Sequence, residues 1–374
     1  MKNLETLINE LCPEGVEFVK LGDICEVQRG KRLTKKQLSD QDNYPVFHGG
    51  IQPIGYYSKC NRKANTVMII NVGASAGTIG FCEQDFWSSD GCYCLSHVNE
   101  LSARYLYFLL SKNQHYFQSK VRHGGIPTLD ALVVKNFEIP LPPIEVQTEI
   151  VRILDKFTEL EAELEAELDC RKRQYEFYRD KLLSFENVGG QNVEWKKMSE
   201  ICLNCDSKRK AITSSKREAG KIPYYGASGI VDYVRDYIFD GNYLLVSEDG
   251  ANLLARNTPI AFSITGKNWV NNHAHVLKFD NINTQKFVEY YLNSISLSPW
   301  ISGAAQPKLN QENLNKMKLP IPPLAEQERI VSILDRFESL TTSLTAGLPA
   351  EIAARRQQYE HYRDKLLTFK RKSA

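Results

Sequence analysis

The chain has 374 residues, 42% hydrophobic and 25% charged, with a formal net charge of +2. This composition supports two or three packed domains and excludes a disordered or collagen-like chain. No run approaches the ~18 apolar residues of a membrane span, and the opening MKNLETLINE carries acids where a signal peptide has its apolar stretch. Nine cysteines, an odd number without a secretion signal, are expected as reduced thiols in a cytoplasmic protein.

In chain order, residues 1–16 form a short N-terminal segment. Residues 17–140 alternate β-type runs with turns, with TVMIINVG (66–73) and IGFC (79–82) read as strands. SARYLYFLLSK (102–112) reads as an amphipathic helix with a capping serine. Residues 141–185 begin with Pro142-Pro143 and then carry an apolar stripe at Ile150, Ile153, Phe157, Leu160, Leu164, Leu168, Tyr175, Tyr178 and Leu182. Steps of three and four, with one longer step over polar Arg171, predict one helix of about 40 residues, roughly 60 Å long, with a coiled-coil seam. In 186–320 the same α/β alternation returns, with YLLVSEDG (243–250) as a strand and NTQKFVEYYLNS (283–294) as a helix. Residues 321–369 repeat the stripe at Ile330, Ile333, Phe337, Leu340 and Leu344, then at Ile352, Tyr359, Tyr362 and Leu366; Gly347 and Pro349 predict a break near Leu348. Residues 370–374 are a basic tail.

The chain is an internal repeat. LPPIEVQTEIVRILDKF (141–157) matches IPPLAEQERIVSILDRF (321–337) at an offset of 180, and YRDKLLSF (178–185) matches YRDKLLTF (362–369) at 184. The second copy thus holds four extra residues, placed near TAGLPAE (345–351). Fainter matches join EFVKLGDIC to EWKKMSEIC, YPVFHGGI to IPYYGASGI, and GGIPTL to GAAQPKL. INELCPEGVEF (8–18) resembles the joint LLSFENVGGQNVEW (182–195), so the N-terminal segment is expected to pack near the end of the C-terminal helix. The expectation is a cyclic, pseudo-twofold chain of two divergent α/β regions and two preserved helices that pair antiparallel as a spacer.

Charge is uneven. The segment 141–185 carries 7 basic and 11 acidic residues, and 321–369 carries 6 and 7, so the rest of the chain is basic. RGKRLTKK (29–36) holds five basic residues in eight; SKRK (207–210) and SKRE (215–218) stand in the second region. Basic loops with interleaved aromatics, such as Tyr56-Tyr57 and Tyr224-Tyr225, suit nucleic acid. The candidate contacts are Lys31, Arg32, Lys35, Lys36, Arg62, Lys63 and Arg122 in the first region. In the second they are Lys208, Arg209, Lys210, Lys216, Arg217, Asn271, Asn272 and Lys308. Gly49, Gly50 and Gly124 are read as shaping loops. No catalytic constellation stands out: GKRLT lacks the rest of a phosphate-binding loop, and NVGASAGTIG (71–80) lacks dinucleotide spacing and reads as a tight turn. Cys202 and Cys205 form a lone CxxC without a second pair, so no metal is expected. Cys92 and Cys94 read as packing residues in a strand, and His273 and His275 as alternating along another. From the residues alone, a coiled-coil scaffold with incidental basic loops remains the alternative to a DNA reader.

LPPIEVQ and IPPLAEQ opening two helices, with RQYEFYRDKLLSF and RQQYEHYRDKLLTF closing them, resemble the specificity subunit of type I restriction–modification systems. The resemblance spans nearly the whole chain; the uninterrupted first helix departs from the family's GLPAEI break, found here only in the second. It implies two target recognition domains in tandem, each reading one half of an asymmetric bipartite site in double-stranded DNA. It further implies spacer helices that dock two methyltransferase subunits, and restriction subunits beyond them. S-adenosylmethionine and ATP with magnesium belong in those partners, and no cofactor in this chain. Two linked readers on one duplex face would meet half-sites about one helical turn, ~34 Å, apart.

Overall fold

The computed structural model describes residues 4–97, 100–185, 193–303, 306–343 and 345–372. The chain forms two compact units, one of Met1–Glu165 with Glu351–Ala374 and one of Ala166–Ala350.

In the first unit, a four-stranded antiparallel sheet runs in the order Cys25–Arg29, Cys92–His97, Thr66–Ile70, Ile79–Cys82. The apolar run that predicted a strand at 66–73 ends at Ile70 because a turn with glycines at positive φ (Gly73, Gly77) follows. A smaller sheet sets Tyr44–Phe47 between Tyr56–Tyr57 and, in parallel, Trp87–Ser88. The helix Ala103–Lys112 starts where Ser102 accepts the Tyr105 N–H, and it buries Tyr105, Phe108 and Leu109 against the large sheet. Phe18–Lys20 pairs with Glu138–Pro140, which leads into the spacer helix.

The second unit repeats this order. Leu203–Asn204, Ala274–Lys278, Tyr243–Ser247 and Ala261–Ile264 make the large sheet, and the helix Ile282–Ser294, capped by Asn281, covers it. Its second sheet keeps the same parallel pair, Ala219–Gly226 with Lys267–Val270. Both units are therefore α/β (α+β), with strands in the majority and one long covering helix.

Ile144–Leu183 is a single helix of 40 residues, as the stripe predicts. The later segment is two helices, Leu324–Thr342 and Leu348–Leu366. The break falls at Gly347, where a Cβ would lie 2.5 Å from the Ser339 carbonyl oxygen, and Pro349 sits in the first turn of the next helix, where its missing N–H costs nothing. In the first unit Phe157 stacks on Tyr362 (5.4 Å, 25°), and Arg356 bonds Glu161 and Glu165, which fixes an antiparallel pairing. Within the second unit Tyr178 stacks on Phe337 (5.7 Å, 27°). The repeated Phe of one motif thus meets the repeated Tyr of the other, once in each unit.

Burial along the seam is uneven. Ile150 and Ile330 are fully buried and Ile153, Phe157, Leu164, Ile333 and Phe337 half-buried, but Leu160 and Leu340 are each 38% exposed. Leu344 lies outside the described residues. The stripe also omits Val146, Leu154, Val331 and Leu334, which are buried because the helix starts pack against the sheet-and-helix cores as well as against another helix. The repeated glutamine has a role the sequence does not announce. Buried Gln147 donates to the Pro142 carbonyl (2.8 Å) and accepts the Ser102 N–H (2.8 Å); Gln327 donates to the Pro322 carbonyl (2.7 Å).

Candidate nucleic-acid interface

Each unit builds its basic loop on the same frame. In the first, the Trp87 indole N–H donates to the Lys31 carbonyl (2.7 Å); in the second, Trp269 does the same to Lys210 (2.6 Å). Trp87 and Trp269 occupy the parallel strand of their small sheets, so each basic loop hangs from a fixed strand. Beside it a second loop is laced by main-chain bonds. Gly73 N–H meets the Pro127 carbonyl, and Leu129 N–H meets that of Asn71; in the second unit Gly250 meets Pro307 and Leu309 meets Glu248. Gly73 (φ 96°) and Gly250 (φ 109°) stand at the corner, where an L side chain is strained. These bonds explain why GGIPTL and GAAQPKL are recognisable as counterparts.

On this frame Lys31, Arg32, Lys35, Lys36, Lys208, Lys210 and Lys216 are exposed cations. Lys35 and Lys36 ride a short 3₁₀ turn closed by Thr34 and Gln37. Asn272 is exposed in the turn after Trp269. Three more candidates are exposed but paired: Lys63 with Asp85 (3.0 Å), Arg122 with Asp130 (3.6 Å) and Lys308 with Glu248 (3.1 Å). The Lys63 and Arg122 pairs lie at the surface and open at little cost, so they remain available to a phosphate, whereas the partner of Lys308 is buried.

The other four candidates are committed to the protein. Arg62 donates to the carbonyls of Asn61 (2.7 Å) and Arg29 (3.2 Å). Arg217 lies over the Tyr224 ring (4.4 Å) and pairs with Asp232 (3.1 Å). Buried Asn271 accepts the His273 N–H (2.8 Å) and shapes the turn. Arg209, its side chain only 12% exposed, bonds Asp206, Glu248 and the Ala274 carbonyl. Charge in the sequence marks the three arginines as basic but does not show that their hydrogen bonds are already spent.

His273 and His275 do not share a strand. The strand begins at Ala274; His273 sits in the preceding turn, exposed and 2.9 Å from Asp249, whereas His275 is wholly buried. Asp206, Glu248 and His275 lie within 4.8 Å of one another and have the donor types of a cation site. Arg209 and Lys308 already neutralise the carboxylates, however, and both ring nitrogens of His275 are engaged, Nδ1 with Asp206 and Nε2 with the Leu309 carbonyl. The cluster is an ion-paired node. Burial works to raise Asp206 and Glu248, but their bonds to His275 and to Arg209 and Lys308 outweigh it and hold both below the usual carboxylate range. Cys202 is half-buried, and burial pushes its thiol up to about 12; none of the nine cysteines is in a disulfide. Cys92 and Cys94 are packed in the sheet core.

Two tandem sheet domains, each presenting a basic loop on a Trp-anchored frame, are a class of paired DNA-reading modules. The family model for the type I restriction modification DNA specificity domain matches residues 13–169 and again 191–354. The chain is 40% identical to a putative type I restriction enzyme specificity subunit of Haemophilus influenzae, over 99% of this chain and 100% of that one. It is 36% identical to the EcoR124I/EcoR124II specificity subunit of Escherichia coli, over 99% and 97%. The crystal structure of a type I restriction-modification S subunit from M. genitalium shares the fold, with a TM-score of 0.63 at 19% identity over 94% of this chain and 96% of that one. The chain belongs to the type I restriction–modification specificity subunits, and its function is DNA sequence specificity. Such a subunit is in general a non-catalytic member of its complex, and a bare coiled-coil scaffold is not favoured. Among the described residues no helix is long and apolar enough to cross a membrane.

Proposed function

We propose that each unit reads one half of an asymmetric bipartite site in double-stranded DNA, and that this chain carries out no chemistry itself. The observation that carries the reading is the shared frame: the same Trp-to-carbonyl anchor and the same glycine corner hold loops whose exposed side chains differ between units. Lys31, Arg32, Lys35, Lys36, Lys63 and Arg122 would hold the backbone of the first half-site; Lys208, Lys210, Lys216 and Lys308 would hold that of the second, with Asn272 placed to reach base edges. Residues 141–185 and 321–369 serve as spacers and as docking surfaces for two methyltransferase subunits, which bring S-adenosylmethionine; restriction subunits add ATP-driven cleavage, all in the cytoplasm. This chain needs no cofactor of its own.

Replacing residues 17–140 with those of another member, then sequencing the methylated DNA, tests the reading. One half of the methylated motif changes and the other stays; an unchanged motif refutes it. Deleting residues 345–348, next to the helix break, alters the spacer between half-sites or abolishes methylation; unaltered spacer and activity would remove the ruler role of that segment.

A further inference from the structure

Among the described residues, the buried ion-paired node of the second unit has no ion-paired equivalent at the corresponding positions of the first. His275 stands opposite Val246 in the sheet, as Tyr93 stands opposite Ile69. Both reach the same place in the frame: Tyr93 Oη donates to the Leu129 carbonyl (3.2 Å) and His275 Nε2 to the Leu309 carbonyl (2.7 Å). Around Tyr93 the corresponding positions hold Asn71 and Arg29, whose Nε goes to the Asp90 carbonyl (2.9 Å). Around His275 they hold Glu248 and Asp206.

The bonding fixes the protons on His275. A carbonyl oxygen only accepts, so Nε2 carries a hydrogen. Nδ1 lies 2.6 Å from Asp206 Oδ2, an oxygen that also faces Asn204 Nδ2 (3.2 Å) and Arg209 Nη2 (3.3 Å), while Oδ1 accepts the Val276 N–H (2.9 Å). A carboxylate ringed by donors is the ionised form, so Nδ1 also donates and the ring is an imidazolium. The groups facing it are Asp206 and Arg209 from the 206–209 segment, Glu248 at the end of the Tyr243–Ser247 strand (3.8 Å), and Lys308 beside the Leu309 carbonyl. Two carboxylates therefore stand among three cations, all tied to loops. Arg209 reaches the carbonyls of Asn272 and Ala274, and Lys308 lies on the loop that the Leu309 carbonyl belongs to.

We propose that Asp206, Arg209, Glu248 and doubly protonated His275 are positioning residues that lock the 206–210, 248–250, 271–273 and 306–309 loops of the second unit into one frame, so that discrimination in the second half-site, and not in the first, depends on both His275 bonds being made. The inference rests on the DNA-reading function proposed above. Neutral His275 keeps one of its two bonds and faces either the Asp206 carboxylate or the Leu309 carbonyl with a lone pair, which drives the loops apart. Tyr93 makes the corresponding bond in the first frame through its hydroxyl alone.

The test has two independent readouts. In full-length chain carrying ¹⁵N-labelled histidine, the His275 signal, assigned by its loss in H275Q, shows both ring nitrogens protonated near pH 7; a neutral tautomer there overturns the proposal. Separately, the wild-type and H275Q chains, each with its methyltransferase subunit, are given fragmented genomic DNA, and methylated sites are sequenced. Tolerance of single mismatches in the second half-site rises by about tenfold in H275Q, as expected for one lost charge-assisted bond, while tolerance in the first stays level; equal rises overturn it. R209K keeps the charge but not the fork, and it relaxes the second half-site likewise; a loss of affinity with both halves equally selective would make Arg209 a phosphate contact and overturn its role here. If no bipartite motif is methylated at all, the DNA-reading function fails while the histidine signal still decides the protonation state.

Discussion

The two units solve one problem with different side chains. Each closes its large sheet against its second loop at the same point, one with Tyr93 on the Leu129 carbonyl and the other with His275 on the Leu309 carbonyl. Around that point the first unit places an asparagine and an outward arginine, the second two carboxylates and their cations. What stays constant is main-chain bonding: Gly73 to Pro127 and Gly250 to Pro307, Leu129 to Asn71 and Leu309 to Glu248. A frame held by backbone groups leaves its side chains free to diverge, which is what two readers of different half-sites require.

The largest expected effect tests whether the repeated helix starts do equal work. Ile150 and Ile330 are the same position in the two copies, and both are fully buried. Ile150→Ala and Ile330→Ala each cost about 2–4 kcal/mol, with hydrogen-exchange protection falling in the unit that holds the substitution. Equal loss in both units from either change would show that the two cores do not open separately. Next comes the corner: Gly73→Ala and Gly250→Ala, at φ 96° and 109°, each cost about 1–2 kcal/mol. Gly124→Ala, where an added Cβ meets nothing within 4 Å, stays within about 0.5 kcal/mol by thermal unfolding. A costly Gly124→Ala would place strain in the loop rather than at its corner.

The units also part company in acid. Asp206 and Glu248 titrate below their ordinary values in the fold, so their contribution is complete above the unfolded carboxylate values of about 3.9 and 4.3 and is lost as pH falls through the lower folded values. The first unit has Arg29 and Asn71 in those places; its lowered loop carboxylate, Asp85, bonds Lys63 and the Ala64 N–H nearer the surface, not in a buried node. Hydrogen exchange on lowering the pH from neutral should show the loops of the second unit opening before those of the first; the reverse order would assign the acid lability elsewhere. D206N should shrink the difference.

How much of this the sequence disclosed depends on which physical signal each feature leaves. The long helices are legible because an apolar stripe has a period. The break is legible because Gly347 and Pro349 interrupt the second stripe, whereas no Gly or Pro stands within Ile144–Leu183, and that copy is one helix. The Phe157–Tyr362 and Tyr178–Phe337 stacks follow from the stripe, which names all four residues. Burial of Leu154 and Leu334 does not, because a helix that also faces a domain core needs a wider apolar face than a two-helix seam. Trp87 and Trp269 are hidden for another reason: a tryptophan in a short strand looks like core, and only its indole bond to the Lys31 or Lys210 carbonyl shows what it holds. Among the basic residues, exposed Lys31 and largely covered Arg209 read alike until their partners are seen.

The smallest effects separate those two kinds of basic residue. Lys31, Lys35 and Lys36 in the first unit and Lys208, Lys210 and Lys216 in the second are exposed, so replacing any one with alanine leaves stability unchanged within error. Each that touches a phosphate lowers the slope of log affinity against log salt by about 0.9, alike in both units, without changing which bases are methylated. Arg62 and Arg217 behave in the opposite way, because their guanidinium groups bond the partly covered Asn61 and Ile212 carbonyls. Alanine there removes a donor from each carbonyl, the Ile212 one keeping only the Tyr224 hydroxyl at 3.4 Å, at about 1–3 kcal/mol each, and relaxes the half-site of its own unit while the salt slope stays as it was. A lysine whose loss changes base preference, or an arginine of this pair whose loss changes only the slope, would exchange the roles assigned to them, and titration of DNA binding at three or more salt concentrations with each variant distinguishes the two.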